Sequence, residues 1–147
     1  MNGSQLSYIN EQSSKEFNSK KKANIKRENV IQDKSFQFAI RMVGAYQYPT
    51  TNEREFVLSK QLLRCGTSIG ANISEANGAI SKADFSNKIS IGYKECLETK
   101  YWISLLWKTG FFDEKVHESF YTDADEPGKI LFAILKTTRI KSIHNAQ

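Results

Sequence analysis

The chain is short of the residues that reactive sites are usually made from. Its 147 residues include two cysteines, two histidines and two prolines. Cys65 and Cys96 cannot supply a disulfide framework. With His117 and His144 they form no pair at C-x-x-C or H-x-x-x-H spacing, so no metal site is expected. A cofactor loop is missing as well. "GTSIGANISEANG", 66–78, follows no strand, lacks the G-x-G-x-x-G order and has no G-K-[ST] ending, so no cofactor is expected. The longest apolar run, "ILFAIL" at 130–135, is far below the ~20 residues that span a bilayer. No membrane partner is expected. The opening "MNGSQLSYINEQSS" has no apolar core of a secretory signal, so a cytoplasmic location is expected. Nothing reads as a strand ladder, and no internal repeat is visible.

Charge is present in blocks. The formal net charge is +5. Residues 1–34 hold seven Lys/Arg against four acids, with a knot "KKKANIKR" at 20–27. Residues 113–126 hold six acids and one lysine, and from Pro127 onward there are four basic residues and no acid. Such blocks suit attraction to an anionic polymer, or simply a solvated surface. Residues 1–28 are polar and poor in β-branched side chains, and are read as a mobile basic arm ahead of a domain at 29–147.

Four helical segments follow the arm. The first is expected from Asp33 or Ser35 to Tyr48, with Phe36, Ala39, Ile40, Val43 and Tyr46 on its buried face and Pro49 ending it. The second is expected from Glu53 to Asn77. Its seam is Leu58, Leu62, Cys65, Ile69, Asn72 and Ala76, with Gly78 as a left-handed cap. The third begins at the cap Ser81, with Asp84 in its first turn, and runs to about Thr109. Phe85, Ile89, Gly92, Cys96, Thr99, Ile103 and Leu106 form its seam, broadened by Tyr93, Leu97, Tyr101 and Leu105. Pro127 is expected in the first turn of the fourth helix, capped by Asp125 or Glu126. Ile130, Leu131, Ile134, Leu135 and Thr138 give that helix its buried side. The fold expected is an all-α, up-down antiparallel four-helix bundle with a polar basic N-terminal arm.

Three groups of residues invite functional readings. Gly66, Gly70 and Ser74 form a stripe of small residues that admits a neighbouring helix, as packing or as an oligomer contact. Arg64, Asn72, Glu75, Glu95, Glu98 and Thr99 are polar residues at or beside the seams. They suit a structural network, with Arg64 near Glu98 across the second and third helices. Glu95 and Glu98 as acid and base are the enzymatic alternative. Finally, Lys20, Lys21, Lys22, Lys26 and Arg27 in the arm, with Lys129, Lys136 and Arg139 around Phe132, suit contacts to a nucleic-acid backbone.

Several stretches resemble the 23S rRNA-intervening-sequence proteins. They are "DKSFQFAIRMV", "LSKQLLRCGTSIGANISEANGAISKADFSNKISIGYKECLETKYWISLL" and "ADEPGKILFAILKTTR". "SIGANISEA", "SKADF" and "KECLETKYW" are the most specific, and the likeness covers about Val30 to Arg139. The resemblance implies a four-helix bundle that in some members assembles as a ring of five. A related branch is the accessory variability protein of diversity-generating retroelements, a basic pentamer associated with reverse transcriptase and nucleic acid. The resemblance carries no catalytic residues. Pro127 and Gly128 depart from the family pattern, and the arm lies outside it.

The function expected is a non-enzymatic homo-oligomer that binds RNA or DNA, or a nucleic-acid-processing protein, through basic surface. The alternative is a protein–protein scaffold without nucleic acid, using the acidic 113–126 segment.

Overall fold

A computed structural model describes the backbone of residues 3–52 and 55–144, and the side chains of 15–23, 25–26, 30–47 and 55–138. Its helices are α1 (Gly3–Asn52), α2 (Val57–Asn77), α3 (Lys82–Lys108) and α4 (Glu114–His144). No strand occurs among the described residues, and the fold is a helical bundle. The chain divides into two compact units, Met1–Val30 and Ile31–Gln147.

In the first unit the backbone is helical from Gly3, far ahead of the expected start near Asp33. Proline is absent before Pro49, and Lys, Gln and Glu are good helix formers. Glu16 and Lys20, four apart, also form an ion pair at 2.5 Å. At its other end α1 runs past Pro49 to Asn52.

The second unit is built around Leu62, Ile69, Ile73, Ile89, Ile103, Leu106 and Leu131, all nearly inaccessible to solvent. Burying each such side chain contributes about 1.5–3 kcal/mol. α1 turns a different face inward from the one expected. Ile31, Ser35, Phe38, Met42 and Ala45 are buried, while Phe36, Ile40 and Val43 are 63%, 52% and 47% exposed. Fit to α2 accounts for the choice. A Cβ placed on Gly70 would lie 3.3 Å from the Ser35 carbonyl oxygen, and one on Gly66 would meet Met42 Cγ at 2.5 Å. α1 therefore lies against the small residues of α2 through its own small Ser35. Asn77 Nδ2 donates to Gln32 Oε1 at 3.1 Å at the far end of the same contact.

On α2 the seam takes Ile73, not Asn72. Asn72 is half-buried, and its amide donates to the Ser68 carbonyl at 2.8 Å. Gly78 is not left-handed; its φ is −95°. The positive φ, 85°, belongs to Gly110 after α3. There the Phe111 N–H donates to Leu106 O at 2.9 Å and the Gly110 N–H to Trp107 O at 3.0 Å, the pattern of a Schellman cap. At its start α3 is capped by Ser81, whose hydroxyl accepts from the Asp84 N–H at 3.0 Å.

α4 begins thirteen residues before Pro127, at Glu114, and is capped by Asp113, whose Oδ1 accepts from the Val116 N–H at 2.8 Å. The acidic segment is thus helix, and Pro127 lies within it. An interior proline costs ~3 kcal/mol in an isolated helix. Tertiary contacts offset that cost here. Pro127 and Gly128 are buried, and a Cβ on Gly128 would lie 3.5 Å from Cys96 Cβ. The small pair brings α4 close to α3, and ion pairs fasten the surrounding turn to both neighbours. Arg41 of α1 pairs with Asp123, Lys34 of α1 with Glu126 at 2.6 Å, and Lys100 of α3 with Asp125 at 2.7 Å.

Candidate nucleic-acid interface

Lys20, Lys21, Lys22 and Lys26 all lie exposed on the helical backbone of the first unit. Lys22 and Lys26 are one turn apart and share a stripe. Lys20 is engaged by Glu16, whereas Lys21, Lys22 and Lys26 have no acidic partner among the described residues. The side chains of Arg27 and Arg139 lie outside the described residues.

In the second unit Lys129 and Lys136 are both exposed on α4, but they are not equivalent. Lys129 pairs with Asp125 at 2.7 Å. Asp125 also takes Lys100, and these two lysines hold its carboxyl below the ordinary value. Lys136 has no acidic partner among the described residues. The acid four residues before the lysine was the available sequence signal for both occupied cations, Lys20 and Lys129.

The small-residue stripe divides. Gly66 and Gly70 lie against Met42 and Ser35 of α1 in the same chain, while Ser74 is exposed. The polar group also divides. Arg64 meets Glu98 through a hydrogen-bonded ion pair and Glu95 at 3.5 Å, joining α2 to α3. Glu75 pairs with Lys88 across the same helices. Thr99 is fully buried and donates to the Glu95 carbonyl at 2.7 Å. Burial raises the Glu95 carboxyl, whereas the hydrogen bond from Arg64 lowers that of Glu98, which also accepts from Trp102 Nε1 at 3.1 Å.

Neither of two clefts that open between helices among the described residues is lined by Glu95 or Glu98. One, of about 350 Å³, is lined by Arg41, Gly44, Ala45, Phe112, Val116 and Phe120. The other, of about 170 Å³, lies between α3 and α4. Cys65 and Cys96 are buried free thiols; burial pushes them up to about 11 and about 12, so neither is a thiolate at neutral pH. Among the described residues no group of three or more His, Cys, Asp or Glu is placed to hold a metal ion. No helix among them is long and apolar enough to cross a membrane.

These observations define a small all-helical bundle whose polar groups are largely tied between helices. The profile of the 23S rRNA-intervening sequence protein family matches residues 27–133, and the chain belongs to that family. It is similar to a crystal structure of a protein of unknown function from the S23 ribosomal protein family of Bacteroides thetaiotaomicron VPI-5482. The two share 48% identity with a TM-score of 0.74, over 75% of this chain and 98% of the other. No curated protein matches the chain.

Proposed function

We propose that the protein is a non-enzymatic homo-oligomer that binds nucleic acid through its basic ends. The observation that carries this reading is where the net charge sits. Residues 31–138 hold thirteen Lys/Arg and thirteen Asp/Glu, and so are neutral. Residues 1–30 hold six Lys/Arg and three acids, and 139–147 hold Arg139 and Lys141 with no acid. The whole excess of +5 therefore lies outside 31–138. An excess gathered at the ends, on exposed lysines, suits an anionic polymer contacted without sequence preference.

Self-assembly is supported by α1. Phe36, Ile40 and Val43 form an exposed stripe on the helix that packs on Gly66 and Gly70, and residues 65–74 of α2 contain no charge. Charge depletion around exposed apolar side chains is what the centre of a protein interface looks like. Five copies are the number the family resemblance suggests. A purely acidic docking surface at 113–126 is less favoured, because Asp113, Asp123, Asp125 and Glu126 are already engaged within the chain.

Light scattering with and without RNA tests both parts. The mass expected alone is a multiple of 16.8 kDa. It should rise on adding RNA at low salt and return as salt is raised. A protein that stays monomeric sinks the assembly reading, and a mass unmoved by RNA at low salt sinks the nucleic-acid reading. Ile40→Asp should convert the assembly to monomers if the α1 stripe is the contact.

A further inference from the structure

The face where α3 meets α4 exposes apolar and aromatic side chains. Leu97 is 45% exposed, Tyr101 60% and Phe132 54%. Leu97 and Tyr101 are one turn apart on α3, and the Phe132 ring lies 5.7 Å from that of Tyr93. The cleft of about 170 Å³ opens among them, lined by Tyr93, Leu97, Lys100, Asp125, Lys129 and Phe132. That is smaller than the roughly 300–1,000 Å³ of a pocket for a drug-sized ligand. It is comparable to the ~150 Å³ cavity that admits a benzene ring. In volume the space is on the scale of one ring.

Charge distinguishes this face from the rest of the neutral bundle. Lys94 stands three residues before Leu97, and Lys136 four after Phe132, so each lies one helical turn from a residue that lines the cleft. Both are exposed and without an acidic partner among the described residues. Lys100 and Lys129 share a single carboxylate, Asp125, each at 2.7 Å. The other nearby acids turn away. Glu95 and Glu98 meet Arg64 on the α2 side, and Asp123 and Glu126 meet Arg41 and Lys34 on the α1 side. Four lysines against one acid, around exposed rings and a ring-sized cleft, complement a ligand that is both anionic and aromatic.

We propose that the α3–α4 face binds single-stranded nucleic acid. One base enters the cleft beside Tyr93, Leu97 and Phe132, a neighbouring base stacks on Tyr101, and the phosphates lie along Lys94, Lys129 and Lys136. Strandedness follows from the rings, because a base inside a duplex has both π-faces covered and offers none to Tyr101 or Phe132. The proposal rests on the nucleic-acid reading above and adds to it a site and a preference.

The test is fluorescence anisotropy with the full-length protein. The probes are a labelled oligothymidylate and the same strand annealed to oligoadenylate. Tyr101→Ala and Phe132→Ala should each weaken single-strand binding about tenfold and leave duplex binding nearly unchanged. Lys94→Gln and Lys136→Gln should each flatten the salt dependence by about one phosphate contact. All four side chains are exposed, and unchanged helical circular dichroism checks that the variants fold. Single-strand binding that is unaffected by either aromatic substitution overturns the proposal and leaves the arm as the contact. A fall in mass by light scattering in Tyr101→Ala or Phe132→Ala overturns it too, assigning the face to contact between copies. If the unaltered protein binds neither probe at low salt, this site and the nucleic-acid reading both fail.

Discussion

The two parts of the chain handle charge in opposite ways. In residues 31–138 acids and bases balance, and many are joined across helices: Lys34 to Glu126, Arg41 to Asp123, Arg64 to Glu98, Lys88 to Glu75, Lys100 to Asp125. Each such partly exposed pair contributes only ~0–1 kcal/mol. Their clearer effect is on arrangement, since each fixes which helix lies beside which. In residues 1–30 bases exceed acids by three, and Lys21, Lys22 and Lys26 are exposed without an acidic partner among the described residues. The bundle joins many of its charges to one another and leaves Lys94 and Lys136 without an acidic partner among the described residues, whereas Lys21, Lys22 and Lys26 of the arm are all held out to solvent. Stability and polyanion binding should therefore be separable by substitution.

The largest expected effect comes from the arm. Replacing Lys20, Lys21, Lys22, Lys26 and Arg27 together by glutamine should weaken binding to RNA on the order of a hundredfold at low salt, with a flatter salt dependence. The thermal midpoint should hardly move, because the described lysines among them are exposed. Filter binding across a salt series, with a melting curve of each protein, measures both. A large drop in the midpoint with unaltered affinity would reverse the contrast between the two parts.

The converse experiment addresses the bundle. Gly70→Val adds a branched side chain where a Cβ already sits 3.3 Å from the Ser35 carbonyl oxygen. Backbone cannot swing aside as a side chain can, so α1 and α2 must separate. Overpacking of this kind costs about 1–3 kcal/mol. Gly44→Ala is the control: its Cβ would meet nothing within 4 Å. Replacing an interior helical glycine there should stabilise by about 0.4–1 kcal/mol. Urea midpoints compare the two, and shifts of opposite sign, the larger for Gly70→Val, are the outcome expected. Destabilisation by both would mean that glycine's role here is not close approach.

That stripe also shows where sequence reading succeeds and where it stops. Local chemistry was legible: Ser81 and Asp84 announce the start of α3, and the spacing of Ile89, Gly92, Cys96, Thr99, Ile103 and Leu106 marks its buried side. The inward face of α1 was not. The stripe expected inside, with Phe36, Ile40 and Val43, points outward, and a second stripe of the same helical period is buried instead. The buried one includes Ser35 and Ala45, chosen by fit against α2 and not by hydrophobicity. Pro127 misleads for a related reason. A rule about isolated helices places it at a helix start, but α3 and the ion pairs of its neighbours hold α4 together around it. The cleft of the α3–α4 face was equally hidden, since Tyr93 and Leu97 meet Phe132 and Lys129 only once both helices are packed. Of its cations Lys129 and Lys136 were read from the sequence but Lys94 and Lys100 were not, and the sharing of Asp125 between Lys100 and Lys129 shows only in the packed helices.

The smallest effect contrasts one acid from each part. Glu55 accepts at 2.7 Å from the N–H groups of Leu58 and Ser59, and at 2.6 Å from the Ser59 hydroxyl, capping α2. Burial alone would raise its carboxyl, but the hydrogen bonds from Ser59 and from the backbone outweigh it and hold the group below its ordinary 4.5. A carboxyl depressed in the folded state stabilises fully above the unfolded value and loses that contribution as pH falls through the folded one. Glu55→Ala should therefore cost about 1 kcal/mol near neutral pH, and the gap from the unaltered protein should close as pH drops below 4.5. In the arm, the hydrogen bond from Lys20 likewise lowers the Glu16 carboxyl, but that pair is open to solvent. Added salt should screen the Glu16–Lys20 pair and leave the Glu55 cap largely intact. Urea midpoints of Glu55→Ala and Glu16→Ala across pH and salt check both statements. A Glu55 gap that persists undiminished at low pH would mean that the side chain acts through packing, and not through the charge that its hydrogen bonds favour.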